Sequence, residues 1–169
     1  MRFCFVIIFL LFSTNNAYAN SIVYLDLQFI IDKSELGQKY KKEILDDQTK
    51  IKSDLKIKQN LIKEKENELN SQKNVLKKDE FNNKLKKLDD LLTDYREFKK
   101  KHSKIIIDKK KKYSDEILKI LNPILTSYVE KNNIKIVIEK KNVLVGIKTL
   151  DITTDMLKIL NEKTKNQIN

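Results

Sequence analysis

The chain has 169 residues, of which 35 are Lys or Arg and 24 are Asp or Glu, and its formal net charge is +11. It contains one cysteine, one histidine, two glycines and one proline. This composition excludes a disulfide framework, a thiolate metal cluster, a nucleophile–base pair and a Gly-rich phosphate loop. We therefore expect no catalytic residue, no metal site and no cofactor.

The first 19 residues are typical of a secretory signal peptide. Arg2 provides a short positive region, residues 3–12 form an apolar run, and residues 17–19 (Ala-Tyr-Ala) form a small-x-small cleavage site. The apolar run is too short for a membrane span, which needs about 20 residues. We predict cleavage after residue 19, with an uncleaved anchor as the alternative. Cleavage would remove Cys4 and would lower the net charge from +11 to +10, because Arg2 is lost.

A strand and a long helical region follow. Residues 22–27 (Ile-Val-Tyr-Leu-Asp-Leu) form an apolar run that is typical of a strand. From Gln38 to Asn122 the chain contains neither Gly nor Pro. This stretch is far longer than an ordinary globular helix of about 12 residues. It predicts a coiled coil or a helical hairpin.

Apolar residues recur along this region with the spacing of a coiled-coil seam. The outgoing half contributes Ile44, Ile51, Leu55, Ile62, Leu69 and Leu76, and the returning half Phe81, Leu85, Leu88, Leu92 and Tyr95. The phase changes across residues 77–80, where Asp79 could cap a second helix. A turn there gives two arms of about 40 residues, each roughly 60 Å long. A single unbroken helix is the alternative.

A lysine-rich segment lies on the returning arm. Residues 99–112 (KKKHSKIIIDKKKK) contain eight lysines, one acid and three consecutive isoleucines. Successive helical residues are rotated by about 100°, so the three isoleucines cover some 200° of the helix. Ile106 is the expected seam residue because it continues to Tyr113, Ile117 and Ile120. Ile105 and Ile107 then flank the seam.

The C-terminal part returns to strands and a short helix. Residues 134–139 place Ile134, Ile136 and Ile138 on one face, and residues 143–145 follow a Lys-Lys-Asn turn, so two strands are predicted. Residues 151–155 introduce a short apolar helix, with Thr153 or Thr154 as the expected cap.

The two ends of the chain are expected to build one small body from which the hairpin emerges. We assign residues 20–36 and 120–169 to this α/β body and residues 37–119 to the hairpin, with its turn near 77–80. A body of about 65 residues is marginal alone, and its short strands would leave unpaired edges. Both features predict a homo-oligomer. The fold class is α+β, mainly α: a long antiparallel coiled-coil hairpin on a small β-rich body for oligomerisation.

At both ends the sequence resembles the Skp/OmpH family of periplasmic chaperones. The resemblance rests on residues 22–28, on Ser34-Glu35-Leu36-Gly37-Gln38 before the long charged helix, and on residues 136–144 with 151–153. It implies a homotrimer in which three helical hairpins, or tentacles, hang from a β-rich body around a cavity. It also implies a periplasmic holdase that binds unfolded outer-membrane β-barrel proteins without ATP and prevents their aggregation.

This resemblance suggests a role for the lysine-rich segment. Basic tentacles would attract acidic clients, and lysine stems can cover apolar segments while their ammonium groups stay hydrated. The candidate client-binding residues are Lys99, Lys100, Lys101, Lys104, Ile105, Ile107, Lys109, Lys110, Lys111 and Lys112. One flanking isoleucine is expected to face the cavity, although packing against another subunit or the body would serve it equally well. The lysines could also simply keep an exposed helix solvated.

The sequence is also compatible with other partners and functions. An anionic lipid or lipopolysaccharide surface would suit the positive charge, but no specific motif for it stands out. Nucleic acid is not an expected partner, because the signal peptide directs the chain out of the cytoplasm. A structural coiled-coil spacer or adaptor of the cell envelope would share the hairpin and the charge.

Overall fold

The computed structural model describes residues 22–168, so the predicted signal peptide lies outside the described residues. The elements are β1 (Ile22–Leu25), α1 (Leu27–Lys33), α2 (Glu35–Gln72), α3 (Lys78–Lys131), β2 (Ile136–Glu139) and α4 (Thr153–Ile168), with short 3-10 turns at Lys140–Asn142 and Lys148–Leu150. The fold is mainly helical, and α2 packs on α3 as a long hairpin, as expected. Among the described residues, no helix is both long and apolar enough to cross a membrane.

Along the sequence, the hairpin lies between the two strands of a small sheet. Strand β1 pairs in parallel with β2, with Ile22 opposite Ile136 and Leu25 opposite Glu139. Parallel strands cannot be joined by a tight turn and need a long connection. The connection here is α1, α2 and α3. Both ends of the hairpin are therefore held at one place in the body.

Polar side chains begin the first two helices. The Asp26 carboxylate accepts a hydrogen bond from the Phe29 N–H and starts α1, a short helix that was not predicted from the sequence. The buried Ser34 hydroxyl accepts one from the Gly37 N–H and starts α2. Each bond satisfies a backbone donor that has no partner within its helix. Residues 26 and 34 thus set the direction in which the hairpin leaves the body.

The hairpin turns slightly earlier than the residues where the seam changes phase. Helix α2 ends at Gln72 and α3 begins at Lys78, so the turn occupies residues 73–77. The prediction that Asp79 caps the second helix is wrong, because Lys77 is the N-cap and makes no side-chain cap bond. Asp79 lies in the first turn of α3 instead. A carboxylate there still interacts favourably with the helix dipole.

The seam agrees with the heptad pattern at all but one position. Ile62, Leu69, Ile106 and Ile117 are buried, and the other seam positions are partly buried, with the exception of Leu85. Leu85 is 48 % exposed, so its assignment to the seam is wrong. Lys84 occupies that place, because its ammonium group reaches the Glu68 carboxylate on α2 at 2.6 Å.

Helix α3 continues through the single proline into the body. Pro123 has no N–H, so the helix loses one internal hydrogen bond there. Leu121, two residues before it, and Ile124, directly after it, are buried in the core and hold the helix in place. Tertiary packing therefore outweighs the local preference of proline.

The core lies in the body, where both strands, α1, the ends of the hairpin and α4 meet. Its fully buried members include Ile30, Leu121, Met156 and Leu160. The predicted strand at 143–145 is wrong, because these residues form an irregular loop. Loop residues 144 and 145 are almost fully exposed, so in this chain nothing packs them into a sheet.

Thr153 or Thr154 was expected to precede α4 as its N-cap, but both lie within the helix, which begins at Thr153. Thr153 is buried, and its hydroxyl accepts a hydrogen bond from the Asp26 N–H while donating to the Asp151 carboxylate. The Asp151 carboxylate also accepts the Thr153 N–H at 3.0 Å and the Lys140 ammonium at 3.0 Å. Residue 153 thus joins the end of β1 to the start of α4.

Candidate functional site

The lysine-rich segment lies wholly within α3, on the half of the returning arm that approaches the body. Ile106 is buried in the seam, as predicted, whereas Ile105 is 44 % and Ile107 is 65 % exposed. The two exposed isoleucines are two positions apart and so point to nearly opposite sides of the helix. The lysine-rich segment therefore exposes one isoleucine on each of two nearly opposite sides of α3.

Nine of the ten candidate residues are exposed, and one is part of the seam. The exposed residues are Lys99, Lys100, Lys101, Lys104, Ile105, Ile107, Lys110, Lys111 and Lys112. The exception is Lys109, whose ammonium group lies 2.6 Å from the Asp47 carboxylate on α2. It also lies 5.4 Å from the centre of the Tyr113 ring, within the range of a cation–π interaction. Lys109 therefore joins the two arms.

Two tyrosines connect the arms beside Lys109. The rings of Tyr40 on α2 and Tyr113 on α3 are stacked, with centroids 3.9 Å apart and planes 7° apart. The Tyr40 hydroxyl donates to Glu116 at 2.7 Å, and the Tyr113 hydroxyl donates to Glu43 at 2.5 Å. Burial, together with the Glu116 carboxylate, raises the pKa of Tyr40 to about 12. These contacts fix the base of the hairpin.

A groove of about 420 Å³ opens beside this base. Its apolar lining includes Ile44 and Leu45 from α2, and Lys110 and Ser114 come from α3. Leu45 is 60 % exposed. Ile107 lies one helical turn before Lys110, so it continues this apolar surface along the arm. The groove thus joins an exposed apolar surface to the lysine-rich segment.

A larger groove of about 720 Å³ lies nearer the turn, outside the predicted segment. Leucines from both arms form its apolar lining: Leu61, Leu69, Leu88 and Leu91. Charged groups of both signs surround them, among them Lys87 and Asp90. This groove was not predicted from the sequence. The signal was the presence of Leu61 and Leu91, which belong to neither seam series.

One acid at this groove binds two lysines. The Glu68 carboxylate lies 2.6 Å from the Lys84 ammonium on α3 and 2.9 Å from the Lys65 ammonium on its own helix. Hydrogen bonds from Lys84 and Lys65 lower the pKa of Glu68 to about 2. The negative charge of Glu68 is therefore maintained at all pH values near neutrality, and it joins the arms close to the turn.

Midway along the hairpin the seam is partly polar. His102 stacks on Phe98 with ring centroids 3.9 Å apart, and its Nδ1 lies 2.8 Å from the Phe98 carbonyl oxygen. The Lys58 ammonium lies 5.1 Å from the centre of the Phe98 ring and contacts the Asp94 carboxylate. His102 is thus a polar seam residue. Within residues 22–168 the structure shows no cluster of side chains that could hold a metal ion.

The body carries an exposed apolar surface of its own. Ile22 and Ile136 pair across the sheet and are each about half exposed, at 48 % and 52 %. The neighbouring loop exposes Leu144, Val145 and Ile147. Several large apolar side chains are thus exposed on the body, and exposed apolar surface is typical of an interaction site.

The sequence matches the family model described as "Outer membrane protein (OmpH-like)" over residues 21–160. The structure is similar to that of an OmpH-like protein of Caulobacter crescentus CB15 that is named as an outer membrane chaperone. The TM-score is 0.76, the sequence identity is 11 %, and 85 % of each chain is covered. A comparison with curated protein sequences finds no match. Because the family match extends over most of its length, the chain belongs to the OmpH-like (Skp/OmpH) family of periplasmic, non-enzymatic outer-membrane chaperones.

Proposed function

We propose that this protein is an ATP-independent holdase that binds unfolded outer-membrane β-barrel proteins between its hairpins and prevents their aggregation. The observation that carries the proposal is the exposure of Ile105 and Ile107 beside seven exposed lysines on one long arm. Isolated apolar contacts within a basic surface can hold an unfolded chain loosely. Many weak contacts acting together then slow its release.

The holding surface needs more than one subunit. A single hairpin has two open faces, and Ile105 and Ile107 lie on nearly opposite sides of α3, so one hairpin cannot surround a client. We propose a homotrimer in which three hairpins surround the client. The exposed apolar surface formed by Ile22, Ile136 and loop residues 144–147 supports this assembly, because joining such surfaces would bury them. In this assembly residues 20–36 and 120–169 form the body, and residues 37–119 form each tentacle.

Charge would accelerate capture. Three subunits without their signal peptides would carry about +30, since each carries +10. A field of this sign raises the local concentration of acidic clients and is screened within roughly 8 to 10 Å at physiological salt. Lys109 contributes less than the other lysines because its charge is paired with Asp47. An anionic lipid or lipopolysaccharide surface would be attracted by the same exposed lysines.

The proposed site of action is the periplasm, reached through cleavage of residues 1–19. A short positive region, an apolar run and Ala-Tyr-Ala follow one another in these residues, and this order supports export. Cleavage of residues 1–19 removes Cys4, the single cysteine of the sequence. The remaining chain would then have no thiol that could form a wrong disulfide in an oxidising compartment.

Site-specific photo-crosslinking tests where the client lies. A photoreactive side chain is placed at residue 105, 107 or 110 on α3, and the matched control places it at the exposed residue 158 on α4 of the body. We expect crosslinks to an unfolded outer-membrane protein from residue 110 and from at least one of the two isoleucine positions, and few from residue 158. Equal crosslinking at all four positions, or crosslinking only at residue 158, would contradict the proposed site.

A further inference from the structure

The base of the hairpin contains the same four-residue pattern in both arms. Helix α2 carries Tyr40-Lys41-Lys42-Glu43, and α3 carries Tyr113-Ser114-Asp115-Glu116. In each helix the Tyr and the Glu are three positions apart and lie on one face. Because the arms are antiparallel, each tyrosine lies next to the glutamate of the other arm. We call these four residues, Tyr40, Glu43, Tyr113 and Glu116, the Tyr–Glu lock.

The lock is reciprocal. Tyr40 donates to Glu116 at 2.7 Å, Tyr113 donates to Glu43 at 2.5 Å, and the two rings stack between these bonds. Hydrogen bonds to an ionised carboxylate are about twice as strong as neutral ones. Sliding one helix by a turn, about 5.4 Å, would break both bonds and the stack together. The lock therefore specifies one register of the two arms, as polar seam residues do in other coiled coils.

Beyond the lock the arms are held less tightly. No residue from 48 to 61 on α2, and none from 78 to 105 on α3, is buried. Between the lock and the turn the buried seam residues are Ile62 and Leu69 on α2 and Ile106 on α3, and the midpoint contains the polar pair Lys58 and His102. Polar groups and partial burial weaken coiled-coil packing. Local opening requires least free energy where few apolar contacts are lost.

We propose that the Tyr–Glu lock is a built-in stop for hairpin opening: the two arms separate along their weakly packed middle, residues 48–61 and 92–105, which we call the outer arms, and separation ends at the lock. The Lys109–Asp47 pair lies one turn outside the lock and adds to the stop. The base thus keeps its geometry while the outer arms change their spacing. This inference concerns motion within one hairpin and does not depend on the proposed function.

Spin-label distance measurements across the hairpin test the stop. Labels on cysteines introduced at the exposed residues 41 and 112 report the base, and labels at the exposed residues 52 and 101 report the outer arms. Cys4 is replaced by Ser in the full-length chain, so that only the introduced cysteines are labelled. We expect a narrow distance distribution at the base and one about twofold broader at the outer pair, because the outer arms are less well packed.

The variants remove the lock bonds but keep the stacked rings. Tyr40→Phe with Tyr113→Phe should broaden the base distribution to the width of the outer pair, and Tyr113→Phe alone should give an intermediate width. The control is Tyr95→Phe, because Tyr95 is partly buried in the same seam and its hydroxyl makes no hydrogen bond to a described residue. This control should leave the base unchanged.

Hydrogen exchange provides a second measure that needs no label. In the double variant the amides of residues 38–50 should exchange about tenfold faster, whereas those of α4 should be unaffected. The proposal is overturned if the base of the wild-type hairpin is already as broad as the outer arms. It is also overturned if the double variant leaves both the base distances and the exchange of residues 38–50 unchanged.

Discussion

The Lys109 ammonium lies 2.6 Å from the Asp47 carboxylate, so one lysine of the basic segment joins the two arms of the hairpin. Its direct neighbour Lys110 is exposed and lines the groove at the base. Two adjacent lysines therefore have different roles. One maintains the structure of the hairpin, and the other belongs to the proposed client surface.

The substitution Lys109→Met should lower the denaturant midpoint of unfolding, because it leaves Asp47 without its cationic partner and removes a contact to the Tyr113 ring. The pKa of Asp47 is lowered by its hydrogen bond from Lys109, so its charge is retained near neutral pH. Lys110→Met is the matched control and should leave the midpoint unchanged. Urea unfolding followed by circular dichroism measures both. Equal midpoints for the two variants would show that the Lys109–Asp47 pair has no structural role.

The contribution of Glu68 to stability should depend on pH. Its pKa is lowered from 4.5 to about 2 by Lys84 and Lys65. A carboxylate whose pKa is lower in the folded state stabilises that state above its unfolded pKa. This contribution is lost as the pH falls through the folded value. Glu68→Gln should therefore be less stable than wild type at pH 7, with the difference shrinking between pH 4.5 and pH 2.

Unfolding curves of Glu68→Gln at several pH values check this expectation. Glu66→Gln is the control, since Glu66 is exposed on the same helix and forms no ion pair with a described residue. A stability difference for Glu68→Gln that is the same at pH 7 and pH 2.5 would mean that its ion pairs are not the cause.

The junction between α1 and α2 should not tolerate a side chain at position 37, which is glycine. A Cβ atom placed there would lie 1.8 Å from the backbone oxygen of Ile31, so α1 would have to move. Overpacking of this kind costs about 1–3 kcal/mol, and we expect Gly37→Ala to lower the free energy of unfolding by that amount. Ser53→Ala, at an exposed position of the same helix, should change it little. Denaturant titrations at equal protein concentration provide the comparison. If Gly37→Ala had the same free energy of unfolding as wild type, α1 and α2 would not be tightly packed at this junction.

The exposed loop of the body should be needed for assembly but not for folding. Leu144 and Val145 are almost fully exposed in the single chain. Replacing both with Ser should shift the protein from trimer towards monomer at micromolar concentration while its helical content is retained. Val75→Ser, at an exposed apolar position in the hairpin turn, should have no effect on assembly. Light scattering coupled to size-exclusion chromatography gives the mass. A wild-type monomer, or a trimer that survives both substitutions, would contradict this role of the loop.

Salt should slow client capture if the exposed lysines act through their charge. Replacing four of them, Lys99, Lys100, Lys104 and Lys111, with Gln should reduce the association rate and its salt dependence. The matched control replaces the exposed body residues Lys135, Lys148, Lys158 and Lys165, which changes the net charge equally. Stopped-flow fluorescence at low and high salt measures the rates. If wild-type association were independent of salt, the lysines would serve only to solvate the helix.

The hairpin could be predicted because apolar residues repeat with heptad spacing along both of its arms. Ile62, Leu69, Ile106 and Ile117 each follow the heptad, and all four are buried. Leu85 follows it too but is exposed, because the pairing of Lys84 with Glu68 rotates a charged residue into the seam. The spacing of apolar residues does not predict the pairing of Lys84 with Glu68. That pairing depends on which residues of the other arm lie opposite.

The body and the lock were harder to predict for related reasons. Residues 143–145 have strand-like composition, but a strand also needs a neighbour, and the single chain provides none there. Helix α1 is short, and its main signal is the single cap residue Asp26. The Tyr–Glu lock is visible in the sequence only as two Tyr-x-x-Glu patterns 73 positions apart. Its meaning appears only when the antiparallel register is known.

The most direct test of the chaperone function is aggregation of a denaturant-unfolded outer-membrane β-barrel protein when denaturant is diluted, followed by light scattering without ATP. We predict that the purified chain of residues 20–169 suppresses scattering at about one trimer per client. Unchanged aggregation in the presence of folded, trimeric protein would contradict the holdase function. The likeness to the family would then extend to architecture alone.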